Sequence, residues 1–176
     1  TIQCGTMPVR NILTINLEDY FQVEAMRQVI PQRYWPRFAL RVEKATLDIL
    51  DVLDRHDHTA TFFVLGWIAD RCPDLIAEVA RRGHDVASKG YLHRQYSQFT
   101  EAEFRDDIKR SCNAIESASG RQVLGYRMAA GTLPIDDLTP YRILAEEGMK
   151  YDSSIRPFGL EYVFHPEWRK IRELSG

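Results

Sequence analysis

The chain has 176 residues, enough for one domain with a substantial core. Hydrophobic residues make up 44% of it and aromatic residues 11%, which excludes a disordered or low-complexity chain. The 23 basic and 25 acidic side chains leave a formal net charge of −2, so there is no basic excess to hold nucleic acid.

Three cysteines, Cys4, Cys72 and Cys112, lie far apart. An odd, scattered set argues against a disulfide framework and a CxxC zinc site, and fits a reducing compartment. No apolar run approaches the ~18 residues of a membrane span. The opening TIQCGTMPVRN lacks the apolar core of a secretory leader, so a cytoplasmic location is the expectation. The chain does not begin with Met; either Met7 is a natural start or the chain is part of a longer polypeptide. Residues 1–10 read as a tail and residues 11–176 as one domain.

In chain order, NILTINLEDYF (11–21) begins as a short apolar strand and ends in Glu18 and Asp19. RVEKATLDILDVLDRH (41–56) has helical periodicity, with Val42, Thr46, Ile49, Leu50 and Leu53 on one face. TATFFVLG (59–66) is apolar on both faces, as a buried parallel strand must be. CPDLIAEVARRG (72–83) is a helix with Pro73 at its start and Gly83 past its end, and HDVAS (84–88) is a short strand. TEAEFRDDIKRSCNAIESASG (100–120) is the clearest helix, with Thr100 and Glu103 as a capping box and Phe104, Ile108, Cys112 and Ile115 as its buried stripe. RQVLGY (121–126) is a strand, DDLTPYRILAEEG (136–148) a helix, and MKYDSS (149–154) begins another strand.

Strand and helix alternate with short connections, which predicts right-handed βαβ units and a parallel sheet or barrel. Sites in such folds form at the C-terminal ends of the strands. Those ends carry NLED, SKGYLH, GYRMAAG and YDSS. Within SKGYLH, Lys89 and His93 are four residues apart, a spacing that would read as half of a metal site if both were histidine. On the residues alone, Lys89 and His93 read as solvated loop residues, NLED as a helix cap, and His56 and His58 as turn residues. There is no GxSxG, GxGxxG or P-loop.

Four stretches, ILTINLEDYFQV, the run from RVEKATLDIL to DVASKGYLHR, FRDDIKRSCNAIESASGRQVLGYR and LAEEGMKYDSSIRP, carry a resemblance in order and spacing from about residue 11 to about residue 157. On them the chain resembles the polysaccharide deacetylases of the NodB-homology type, a carbohydrate esterase family. It is most like the branch found in exopolysaccharide gene clusters. The resemblance implies an α/β fold, a distorted (β/α) barrel, here incomplete at its C-terminus. It also implies zinc or another divalent metal, and hydrolysis of the amide C–N bond of N-acetylated sugars, with an N-acetylated polysaccharide or a lipid-linked sugar as partner.

Carried onto this chain, the resemblance puts Asn16 where the general base is usually aspartate and leaves Glu18 and Asp19 as the acids, with Asp19 the expected metal ligand. His93 stands at one histidine ligand position and Lys89 replaces the other. Arg127 is the residue that orients the base, whereas the final histidine motif is missing: FHPEW holds His165 but arrives too early for a complete barrel. Tyr20 and Tyr91, with Phe21, Tyr34 and Trp35, are candidates to stack on sugar rings.

Asn16 cannot take a proton near neutrality. A lysine binds metal only when neutral, against a reference pKa of about 10.4. The expectation is therefore that the Lys89 ammonium replaces the metal, paired with Asp19 or Glu18. Two function classes follow: a metal-dependent deacetylase, or a non-catalytic member of the fold that binds a glycan or a partner.

Overall fold

In the computed structural model, residues 12–130, 133–134 and 137–155 are described. Five strands form one parallel sheet in the order β1-β2-β3-β4-β5. They are β1 (Thr14–Leu17), β2 (Thr61–Val64), β3 (Asp85–Ser88), β4 (Gly125–Tyr126) and β5 (Tyr151–Asp152). Each strand joins the sheet beside its predecessor, which is how a (β/α) barrel winds. Among the described residues the sheet is open, with β1 and β5 as its edges. His165 lies outside the described residues.

Helix α1 (Val42–Arg55) buries Val42, Thr46, Leu50 and Leu53, whereas Ile49 on the margin of that stripe is 39% exposed. The predicted helix 72–83 is α3 (Pro73–Arg81), and a short helix, α2 (Gly66–Arg71), precedes it. The sequence reading missed α2 because Pro73, which opens α3, masks the single turn before it. Helix α4 (Glu101–Ser119) carries the expected capping box: Thr100 Oγ1 accepts from the Glu103 N–H at 3.3 Å, and the Thr100 N–H donates to Glu103 at 2.8 Å. Gly120 ends it at φ 67°, a left-handed conformation open to glycine at little cost. Helix α5 (Thr139–Glu146) leads into β5.

Strand β4 is only two residues long because the start of the predicted run is spent elsewhere. The Val123 N–H donates to Glu116 of α4 at 2.8 Å, and the Leu124 carbonyl accepts from Lys150 at 2.7 Å. The core joins β2 and β3 to the inward faces of α2, α3 and α4, with Phe62, Val64, Ile68, Ile76, Phe104, Ile108 and Ile115 essentially inaccessible. This layer fixes the strand ends as a rigid rim, and the polar residues collect there.

Candidate active site

Two polar clusters form at the C-terminal ends of the strands. The first spans β1 and β3. Strand β1 stops at Leu17, so Glu18 is free of the strand's alternation and turns its carboxylate to the rim. Glu18 Oε2 lies 2.5 Å from Lys89 Nζ and 3.3 Å from His93 Nε2. Lys89 is 1% exposed and His93 6%. The pairing expected of the lysine with one of two acids is thus made with Glu18. His93 Nδ1 faces Glu24, 3.7 Å away. Burial, and then the Lys89 charge, depress the His93 pKa below its ordinary 6.5, so the imidazole is neutral at pH 7.

Asp19, expected as the metal ligand, is used differently. It is 2% exposed, and its carboxylate accepts the N–H groups of Tyr20 at 2.8 Å, Arg41 at 2.7 Å and Val42 at 3.0 Å. It therefore caps the N-terminus of α1 across 22 residues of sequence, satisfying helical donors that have no partner within the helix. The acid at the lysine–histidine cluster is Glu18.

The second cluster spans β1, β4 and β5. Arg127, just past β4, donates from Nη1 to Asn16 Oδ1 at 3.0 Å and from Nη2 to Thr14 Oγ1 at 3.1 Å and Ser153 Oγ at 2.7 Å. Its guanidinium lies over the Phe63 ring, 3.9 Å from the centroid. Asn16 and Arg127 therefore meet, with the Asn16 amide oxygen as acceptor. Below them, Ser154 Oγ donates to Asp152 at 2.6 Å and accepts the Met128 N–H at 2.8 Å, tying the β4 and β5 ends together.

Neither tyrosine is an open sugar platform. Tyr91 is 6% exposed, its hydroxyl donates to Asp70 at 2.7 Å, and Arg110 covers its ring at 3.5 Å. Tyr20 is 39% exposed, but Arg41 lies over its ring at 4.7 Å. Phe21 and Trp35 are buried against each other and against Trp67.

Sequence reasoning missed Asp107 of α4. Its carboxylate accepts the Tyr91 N–H at 2.9 Å and holds the loop between Lys89 and His93 from behind. Burial pushes its pKa from 3.8 up to about 6. Gly90 in that loop has φ 74°, and a Cβ there would come within 2.7 Å of Asp107 Oδ2. The available signal was an acid three residues beyond Phe104 and one before Ile108, on the margin of the buried stripe of α4.

These donors do not fit a resident divalent metal. Among the described residues no three His, Cys, Asp or Glu side chains stand together as a ligand set. Glu18 and His93 supply two donors where catalytic zinc takes three, and the Lys89 ammonium brings its charge onto the same carboxylate oxygen.

The profile of the polysaccharide deacetylase family matches residues 36–151. The chain belongs to that family. It is 40% identical over 73 residues, 42% of the chain, to a chitooligosaccharide deacetylase of Bradyrhizobium sp. (strain ANU 289). It is 32% identical over 75 residues, 43% of the chain, to a peptidoglycan-N-acetylglucosamine deacetylase of Bacillus cereus. The matches cover only 33% and 27% of those two proteins. Among solved structures, a candidate polysaccharide deacetylase of Mycobacterium smegmatis matches 82% of the chain and 50% of its own at TM-score 0.67 and 29% identity. A pseudoenzyme of carbohydrate esterase family 4 from Bacillus anthracis shares the fold at TM-score 0.58 and 21% identity, over 80% of the chain and 41% of its own. The family's deacetylases are generally metal-dependent, and its fold also houses pseudoenzymes.

Proposed function

We propose that this polysaccharide deacetylase-family chain recognises N-acetylated glycans at the rim of Asn16, Glu18, Lys89, His93 and Arg127 without the metal-dependent hydrolysis of the family. The observation that carries this reading is the buried Lys89–Glu18 pair at 2.5 Å, which brings an organic cation to the acid a metal would use. Asn16 on Arg127 supports it: an amide there can orient a hydroxyl or an acetyl group but cannot remove a proton. The relatives named as chitooligosaccharide and peptidoglycan deacetylases support N-acetylated sugars as the ligand class.

A second reading keeps hydrolysis and is favoured by the neutral, buried His93 beside the Lys89 ammonium. In it His93 takes a proton from water, and the oxygen attacks the acetyl carbonyl. Lys89 stabilises the oxyanion, and the C–N bond breaks as the sugar nitrogen receives the proton, leaving acetate and the free amine.

Acetate release from chitooligosaccharides, measured with and without chelator, separates the readings. Glycan binding with no acetate released supports the first. Release that survives chelator and is lost in His93→Gln supports the second. Release that depends on added zinc overturns both. The double variant Asn16→Asp/Lys89→His is expected to gain zinc affinity beyond the sum of its single variants if the two clusters share one site; additive or null effects argue that they do not.

A further inference from the structure

Beside the rim, and sharing His93 with it, lies a cavity of about 500 Å³ that the site just described leaves unused. Its walls come from the segment between β1 and α1 and from the loop after His93. Among the described residues they carry three arginines, Arg27, Arg33 and Arg94, and no acidic side chain.

Arg27 is paired with Glu24 at 3.1 Å. Arg33 and Arg94 make no ion pair with an acid among the described residues; they are held by Tyr34, by the Phe99 ring and by the Gln98 carbonyl. Two buried lining residues add N–H groups that find no partner among the described residues, Gln22 Nε2 and Trp35 Nε1. The Gln22 amide cannot be turned to relieve this, because its Oε1 accepts the Asp19 N–H at 2.7 Å. Trp35 has a donor and no acceptor. Two of the three unpartnered nitrogens among the lining residues, Gln22 Nε2 and Trp35 Nε1, are thus donors; the third is His93 Nδ1, and the charge of the described lining is positive. Buried donors without partners are rare in folded chains, and their gathering with two guanidinium groups outside any ion pair among the described residues, Arg94 feeling only the longer-range charges of Glu103 and Asp107, favours an acceptor-only, negatively charged group.

We propose that this cavity binds an oxyanion carried by the glycan, so that the preferred ligand is an acidic N-acetylated sugar, bearing either a carboxylate or a phosphate. The proposal rests on the reading that the rim recognises N-acetylated glycans. His93 joins the two: it closes the cavity on one side and meets Glu18 on the other.

The test is isothermal titration of the whole chain with three probes: neutral chitotriose, N-acetylmuramic acid and N-acetylglucosamine 1-phosphate. At least one charged probe is expected to bind about tenfold more tightly than chitotriose, with the margin shrinking as salt rises. Arg33→Gln and Arg94→Gln, each checked for an unchanged fold by circular dichroism, are expected to erase that margin. A margin for the phosphate alone assigns the oxyanion to a sugar phosphate; one for the carboxylate alone assigns it to an acidic sugar. Equal affinity for all three probes keeps glycan recognition and overturns the oxyanion site. Charged probes that bind tightly while chitotriose does not bind keep the site and count against a neutral-glycan cleft. Failure of both charged probes to bind, or a margin indifferent to both arginine changes, overturns the proposal.

Discussion

The two clusters on the rim differ in how each absorbs its substitution. Around Arg127 the difference is isosteric: the Asn16 amide accepts the same guanidinium hydrogen bond that a carboxylate of its shape would. Around Lys89 the change is one of charge carrier, with a long, flexible ammonium opposite Glu18. The first costs little in packing and removes basicity. The second ties function to stability, because a partly buried carboxylate depends on a buried cation. A cluster of the first kind could be reversed by one side chain, whereas the second requires a new donor set.

The largest test of this contrast is Lys89→Met. It keeps the aliphatic stem and removes the charge, leaving Glu18 partly buried beside a neutral histidine. Breaking a buried pair from one side costs about 3–5 kcal/mol, read as a shift of the urea midpoint. The double variant Lys89→Met/Glu18→Gln is expected to recover most of that loss. A single variant as stable as the parent would mean that the pair is not the cation–acid unit the geometry shows. Arg127→Gln is expected to cost less, about 2 kcal/mol, because its hydrogen bonds to Asn16, Thr14 and Ser153 are to neutral groups on a more open edge.

The contrast also explains what the sequence made legible. The alternation of elements, the capping box at Thr100 and the rim position of each motif follow from local chemistry, and they appear as expected in the parallel sheet and α4. The meeting of Asn16 with Arg127 was legible because each sits at the end of a strand whose identity is clear. The choice between Glu18 and Asp19 was not. It depends on β1 stopping at Leu17 and on the start of α1, 22 residues on, returning to claim Asp19 as its cap. Neither event leaves a trace within NLED itself. Tyr91 was misleading for a similar reason: the acid that takes its hydroxyl, Asp70, lies on α2, the helix hidden before Pro73.

Asp107 tests whether the lysine cluster is braced from behind, as the arginine cluster is braced by Ser153. In the folded chain the Asp107 carboxyl keeps its proton up to about pH 6, whereas its ordinary value is 3.8. A raised folded pKa contributes stability that is fully present below 3.8 and is lost as pH rises through about 6. The contribution is on the order of 2 kcal/mol after allowance for partial solvent access. Urea midpoints of the parent are expected to fall between about pH 4 and about pH 7 relative to Asp107→Asn, which has no proton to lose over that range. Parallel curves for the two proteins would remove Asp107 as the titrating brace.

The smallest expected effect is the sharpest on the isosteric side. Asn16→Asp places a carboxylate on the Arg127 guanidinium in the geometry the amide already holds, 3.0 Å from Nη1. A partly exposed pair of this kind stabilises by about 0.5–1 kcal/mol, and salt screens it. The gain is expected to vanish in Asn16→Asp/Arg127→Gln, where the new carboxylate has lost its guanidinium. A gain that persists without Arg127 would mean that Asn16 answers to some other cation on the rim. Lys89 is the candidate, since it already pairs with Glu18, two residues along the same strand end. The two clusters would then act as one electrostatic unit, and the double-variant cycle of Asn16→Asp with Lys89→Met would show it as a coupling that neither cluster alone predicts.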